Sequence, residues 1–348
     1  MTMQYQLSGR PLLDTEADAQ LFVDREDELR ALEYALTAGM NALVVGERGS
    51  GVTSLLRHVA YRRRRRDSGP LAVVDGRLAS DAQGLLDVAF EKLVGAPRTV
   101  TEPSNLATVL DSLTLIYGRK VPVKRQDSLR LLDVFEQVKS ELGGRRGTVI
   151  LDGVPDSETA YTLFGKLRDE LWELPLAWLV GVGPNEEATL TRPPADAFFE
   201  QTISIKPLGP VAAMDLVARR VPPGTLDRDQ LDALVALGDG NPRSILAATR
   251  EYLQLHKSLD EQSEAKTALQ IRLNSLGPSA AALAAELASL GAASASDPVL
   301  LRNLGWTRSR ATQVLKGMET VGLVTGATEP SPGGGRRKIY RLVSDGVP

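Results

Sequence analysis

Apolar positions fall into two regimes along the chain. Short apolar runs recur at Asn41-Ala-Leu-Val-Val45, Pro70-Leu-Ala-Val-Val-Asp75, Gly147-Thr-Val-Ile-Leu-Asp152, Ala177-Trp-Leu-Val-Gly181 and Gln201-Thr-Ile-Ser-Ile205. Each has the length and composition of a buried strand. Between them, apolar residues at helical spacing predict helices ending near residue 37 and over 53–60, 80–94 and 158–174, with a less regular helical region reaching about residue 143. Strands alternating with helices imply an α/β fold with a parallel sheet and ligands at the carboxyl ends of its strands.

From residue 207 the pattern turns all-helical. Helices are predicted over 210–220, 227–237 and 242–256, the last two separated by Gly238-Asp-Gly-Asn-Pro242. A charged stretch over 260–266 precedes helical patterns at 279–290, 297–304 and 307–321, then two strand-like segments at 322–325 and 338–343 that make a hairpin. The domains read as an N-terminal tail (1–20), an α/β core (21–206), a helical lid (207–260), a linker (261–275) and a winged helix-turn-helix (276–348). The Pro332–Gly335 stretch marks the tip of the wing.

The first apolar run ends in Gly46-Glu47-Arg48-Gly49-Ser50-Gly51-Val52-Thr53-Ser54. A phosphate-binding P-loop has the form G-x-x-x-x-G-K-[ST], in which backbone N–H groups cradle phosphates, the lysine reaches the terminal ones and the hydroxyl meets magnesium. Here Val52 stands at the lysine position. Strand, glycine loop and helix nonetheless occur in the required order, although an ordinary glycine-rich turn has the same outline.

Composition narrows the chemistry. The chain has 348 residues, 43% of them hydrophobic, enough for two or three domains with sizeable cores. It has no cysteine, which removes disulfide, zinc-thiolate and thiol chemistry and accords with a cytoplasmic protein. No apolar run approaches the roughly 20 residues of a membrane span, so no membrane association is expected. His58 and His256 are too far apart in sequence to suggest a metal centre.

The chain resembles the AAA+ and STAND ATPases of the Orc1/Cdc6-like branch. Phe22-Val-Asp-Arg-Glu-Asp-Glu-Leu29 is similar to the F-x-G-R-E-x-E-L motif of that family, which lies near the adenine. The P-loop, the strand end Leu151-Asp152 as Walker B, and Asp239-Gly-Asn-Pro-Arg243, similar to the G-N-P-R of the lid, follow in order. The resemblance implies ATP or ADP with magnesium as cofactor, the P-loop and Arg243 on the nucleotide, and Thr53 and Asp152 at the metal. It also departs at Gly153, where a second acid normally polarises the attacking water. Phosphoryl transfer is catalysed chiefly by positioning and charge neutralisation, so loss of lysine and acid together predicts impaired hydrolysis. Arg48 and Arg57 are candidates to supply part of the missing charge, and Arg219 and Arg220 are candidate arginine fingers. Structural roles stay open: Asp152 as a helix cap, Thr53 as an ordinary first-turn residue, Arg243 in an ion pair.

The net charge of −3 conceals a basic end. Arg308, Arg310, Gln313 and Lys316 lie on the helical pattern that begins after Thr307, and Arg336, Arg337, Lys338 and Arg341 lie on the hairpin. A recognition helix offers its early residues to bases while a wing meets phosphates. DNA is therefore the expected partner, with a protein-binding winged helix as the alternative. Arg62 to Arg66 form a second basic run, either a cap on a helix carboxyl end or a nucleic-acid contact. The expected function is a hydrolysis-impaired nucleotide switch that binds DNA and self-associates or recruits a protein. The alternatives are an active DNA-associated ATPase with a compensated P-loop, and a pseudo-ATPase scaffold.

Overall fold

The computed structural model describes residues 6–66, 69–94, 125–330 and 336–343. The chain divides into two compact units, Met1–Arg250 and Glu251–Pro348.

The first unit is built on five parallel strands: β1 (Ala42–Val45), β2 (Leu71–Asp75), β3 (Gly147–Asp152), β4 (Leu176–Val182) and β5 (Gln201–Ser204), in the order β2-β3-β4-β1-β5. Successive side chains on a strand point to opposite faces. Leu43, Val45, Val149, Leu151, Trp178 and Val180 therefore pack on one face, against α4 (Ala82–Val94) and α5 (Arg125–Leu142). Ala42, Val44, Ile150 and Leu179 pack on the other, against Leu29, Leu32 and Leu36 of α2 (Glu26–Ala38) and Leu55, Leu56 and Val59 of α3 (Val52–Arg65). Both faces are covered, which explains why these strands read as continuous apolar runs.

The helix expected over 158–174 is interrupted. α6 (Ser157–Tyr161) passes into a wide turn at Thr162–Lys166, closed by Leu167 N–H donating to Thr162 O at 3.0 Å, before α7 (Arg168–Trp172). Leu163, Phe164 and Leu167 are buried along this stretch.

After α8 (Pro184–Leu190) and β5 come three helices, α9 (Pro210–Ala218), α10 (Arg228–Gly238) and α11 (Pro242–Gln254). α10 starts on a capping box in which Asp227 and Gln230 each accept the other's backbone N–H. The N-terminal residues, expected as a polar tail, are tied down. Leu7 is buried, Gln6 N–H donates to Arg220 O, Leu12 N–H donates to Ser54 Oγ, and Arg10 makes a two-pronged pair with Asp18 of α1 (Glu16–Gln20).

In the second unit, residues 261–275 lie within a helix, α12 (Leu259–Leu276), started by Ser258 and Glu261 in a capping box. α13 (Pro278–Leu290), α14 (Pro298–Leu304) and α15 (Arg308–Thr320) bury Leu283, Leu287, Leu300, Leu315 and Met318 against an antiparallel sheet. That sheet has three strands where a two-stranded hairpin was expected: β7 (Val324–Pro330) and β8 (Arg336–Leu342) are joined by β6 (Ala293–Ser294), in the order β6-β8-β7. A two-residue strand carries no periodicity by which a sequence could announce it. The expected wing tip, 332–335, lies outside the described residues.

Candidate nucleotide site and basic face

The carboxyl end of β1 leads into the glycine loop and then into α3, whose first residue is Val52. Gly49 and Gly51 have φ of +83° and +104°, in the region where a side chain is strained, so the loop turns its amides as a cradle requires. Inside the turn the Ser50 hydroxyl is buried without a partner. An orphaned buried hydroxyl at the start of a 14-residue helix fits an anion, because the helix amino end supplies free N–H groups and a positive dipole.

Val52 turns inward. A β-carbon placed on Gly46 would lie 2.7 Å from Val52 Cγ2, and one placed on Gly181 would lie 2.7 Å from Val52 Cγ1. The valine therefore wedges between the ends of β1 and β4. Glu47 and Arg48 are exposed, while Ser54 accepts the Leu12 N–H. Arg25 is buried and donates from Nη2 to Ser50 O at 3.3 Å, so the N-terminal motif braces the loop from beneath.

The turn before α11 sits on the loop. Asn241 Nδ2 donates to Arg48 O at 2.8 Å, and Arg243 N–H approaches Gly49 O at 3.4 Å. Asn241 Oδ1 accepts from Arg243 N–H and Ser244 N–H, so the same amide caps α11. The Arg243 side chain is exposed and its guanidinium has no partner among the described residues.

At the neighbouring strand ends, Thr53 Oγ1 donates to Asp152 Oδ1 at 2.9 Å. The other oxygen, Asp152 Oδ2, accepts from Arg77 Nη2 at 3.1 Å. Arg77 also forks onto Asp75, Nε to Oδ1 at 2.8 Å and Nη2 to Oδ2 at 2.9 Å. Register places Asp75 directly beside Asp152 on adjacent strands, and Arg77 stands in the tight turn that follows Asp75. Burial pushes the Asp152 carboxyl above the usual range, against the pull of Arg77 and the Thr53 hydrogen bond. Burial also raises Asp75, but the hydrogen bonds and charge of Arg77 outweigh it and hold that carboxyl low. Arg57 adds positive charge acting on both carboxylates.

Thr53 and Asp152, the residues that the resemblance assigns to magnesium, are thus together, but a guanidinium already holds the carboxylate. A divalent ion there would compete with Arg77 for Asp152 Oδ2 and lie against its positive charge, and the residues as arranged do not fit it. Arg77 was not singled out from the sequence, and Arg25 and Asn241 stood within matched motifs without a role of their own. Adjacent parallel strands ending in acids, with an arginine two residues on, are the signal for Arg77.

Arg219 and Arg220 serve inside the unit. Arg219 donates to Gln20 O and Phe22 O, and buried Arg220 donates to Leu216 O, its pKa lowered to about 10 by burial and then by Arg219. The arginine run is likewise occupied: Arg62 and Arg66 pair with Glu33, Arg64 with Asp14 and Arg65 with Glu16. It closes the carboxyl end of α3 and fastens α1 and α2 to it.

On the second unit, Arg308, Gln313 and Lys316 share one open face of α15 with Ser309 and Thr312. Thr307 caps the helix through the Arg310 N–H. Arg310 itself lies over the Trp306 ring at 4.7 Å and donates to Ser279 Oγ. Lys338 pairs with Glu319 and Arg341 with Glu329, whereas Arg336 and Arg337 are exposed. The eight candidates therefore divide: Arg308, Gln313, Lys316, Arg336 and Arg337 are presented outward, and Arg310, Lys338 and Arg341 are engaged.

A parallel sheet in the order β2-β3-β4-β1-β5, with a glycine loop between β1 and α3 and an aspartate at the end of β3, has the architecture of a P-loop α/β fold. No family model matches the chain, and no curated protein matches it in sequence. Among solved structures it is similar to a Walker-type ATPase of Pyrococcus abyssi, at 17% identity over 97% of this chain and 96% of that one, with a TM-score of 0.50. It is also similar to Cdc6p of Pyrobaculum aerophilum (14%, 93% of each chain, TM-score 0.49) and to the Aeropyrum pernix Orc1 protein in complex with DNA (17%, 95% and 92%, TM-score 0.46). At such identities the likeness concerns the fold.

Proposed function

We propose that the chain binds an adenine nucleotide, ATP or ADP, in its P-loop with little hydrolysis, and binds DNA through the winged-helix arrangement of α15 and the β7–β8 hairpin. The observation that carries this reading is the cradle itself: a loop with two left-handed glycines and an orphaned buried hydroxyl, leading into α3. Impaired hydrolysis follows from chemistry. Val52 offers no charge to the phosphates, and Gly153 offers no carboxylate to a water.

DNA binding is supported by the open α15 face that carries Arg308, Gln313 and Lys316 and by the outward cations on β8. Bound nucleotide acts as a conformational ligand by differing in affinity between arrangements of the Asn241–Arg243 turn on the loop. The test is calorimetric titration of nucleotide-free protein with ATP, followed by DNA titration with and without ATP. Saturable binding at micromolar to sub-millimolar ATP, with a change in DNA affinity, supports the switch. Absence of saturation removes the nucleotide, and unchanged DNA affinity removes the coupling.

A further inference from the structure

We propose that Arg77 is the resident cation of the phosphate site, taking the place of a divalent metal, so that nucleotide binding by this chain is independent of magnesium. The inference rests on the nucleotide-binding reading above and adds to it which charge meets the phosphates.

Three features of the site converge. First, the guanidinium bridges both acids that end on this edge of the sheet, with Nε on Asp75 and Nη2 shared between Asp75 and Asp152. Asp152 is in turn joined to the P-loop helix through Thr53, so Arg77 is one carboxylate away from the hydroxyl that directly follows the cradle. Second, Arg77 is pre-positioned and its donors are incompletely used. Asp75 accepts the Arg77 backbone N–H as well as its side chain, and Nη1 has no partner among the described residues. A planar guanidinium with two free N–H groups suits phosphate oxygens.

Third, the backbone makes room for this side chain at the position where an acid would oppose it. Gly153 has φ of +81°, and a β-carbon there would lie 2.9 Å from Arg77 Cγ and 3.1 Å from its Cδ. A β-carbon on Gly76 would in turn collide with Gly153 O. Arg77 thus passes over residue 153 along a path that exists because residues 153 and 76 have no side chains. The missing acid and the added cation are one arrangement: with Arg77 seated, Asp152 is already neutralised, and a metal would have to evict it.

The experiment is titration of the full chain with a fluorescent ATP analogue in excess EDTA and in millimolar magnesium, for wild type, Arg77→Ala and Arg77→Lys. Thermal melts of the nucleotide-free proteins against magnesium alone accompany it. We expect wild-type affinity to change less than about threefold between the two conditions, since the metal adds no contact the site needs. Arg77→Ala should lose about tenfold or more in EDTA and become magnesium-dependent, with its melting temperature now raised by magnesium because the two carboxylates are uncovered. Arg77→Lys, which keeps the charge, should retain binding in EDTA and report on the site if the alanine variant does not fold.

Binding by wild type only in magnesium, or equal affinity of wild type and Arg77→Ala in EDTA, overturns the role of Arg77 and leaves nucleotide binding standing. No saturable binding in either condition overturns the nucleotide reading and this inference with it.

Discussion

Two residues decide what the proposed phosphate site can do. Val52 fills space between the ends of β1 and β4 rather than reaching outward, so the cradle loses one charge-assisted hydrogen bond without losing its shape. Such a bond is worth about 1.5–3 kcal/mol. Val52→Lys should therefore tighten ATP binding by about 10- to 100-fold, measured by calorimetry. Phosphate release should stay at background, because Gly153 still offers no acid. Gly153→Glu fails for a different reason: a left-handed φ and collision with Arg77 cost about 1–3 kcal/mol, read as a lower melting temperature, and the carboxylate arrives only by displacing the cation. The sequence displayed Val52 and Gly153 plainly, because they interrupt a spaced motif. Arg77 was hidden because its partners lie on two strands whose adjacency is a tertiary fact, set by register between β2 and β3.

Among the elements, α3 joins the loop to the rest of the unit. Its outer face carries His58 stacked on Phe22 with ring centroids 4.1 Å apart and an interplanar angle of 8°. Burial, then the charge of Arg62, holds the imidazole below its ordinary pKa, with Glu33 opposing. Since the folded pKa is the lower one, the contribution is complete above the unfolded value of about 6.5 and is lost as pH falls toward the folded value. Urea melts at pH 7.5 and 5.5 should show wild type weakening over that interval. His58→Phe, which keeps a stacked ring, should weaken less.

The far end of α3 illustrates how composition misleads without geometry. Five arginines suggest a nucleic-acid contact, yet four are paired with Glu33, Asp14 and Glu16. Replacing Arg64, Arg65 and Arg66 with glutamine should leave DNA affinity within about twofold. Replacing Arg308 and Lys316 should lower it about tenfold or more. The strands and most helices were legible because burial on both sheet faces leaves an unmistakable apolar run. The wide turn at Thr162–Lys166 and the two-residue β6 were not, because each is imposed by packing partners distant in sequence.

At the scale of the whole molecule, charge is distributed so that basic character on the second unit is smaller than residue counts suggest. Both acids in the 301–341 stretch, Glu319 and Glu329, are taken up by Lys338 and Arg341, and Arg310 lies on Trp306. Arg308, Lys316, Arg336 and Arg337 remain to displace counterions. The logarithm of DNA affinity against the logarithm of salt should then have a slope of about −3.6, whereas engagement of all seven basic candidates would give about −6. Fluorescence anisotropy over a range of salt distinguishes the two.

The N-terminal residues carry a consequence of a mechanical kind. Leu12 is fastened to Ser54 at the start of α3, and Gln6 to Arg220 just beyond α9, so the segment spans from the sheet core to the helices beyond β5. It forms a bracket around the covalent joint at 205–209, adding to the tie that the Asn241–Arg243 turn makes on the loop. A boundary drawn at the motif beginning with Phe22 discards that bracket. The shortened chain should keep every phosphate-site residue yet be cut faster by protease at the joint, its loop and α11 free to part where the intact chain holds them together.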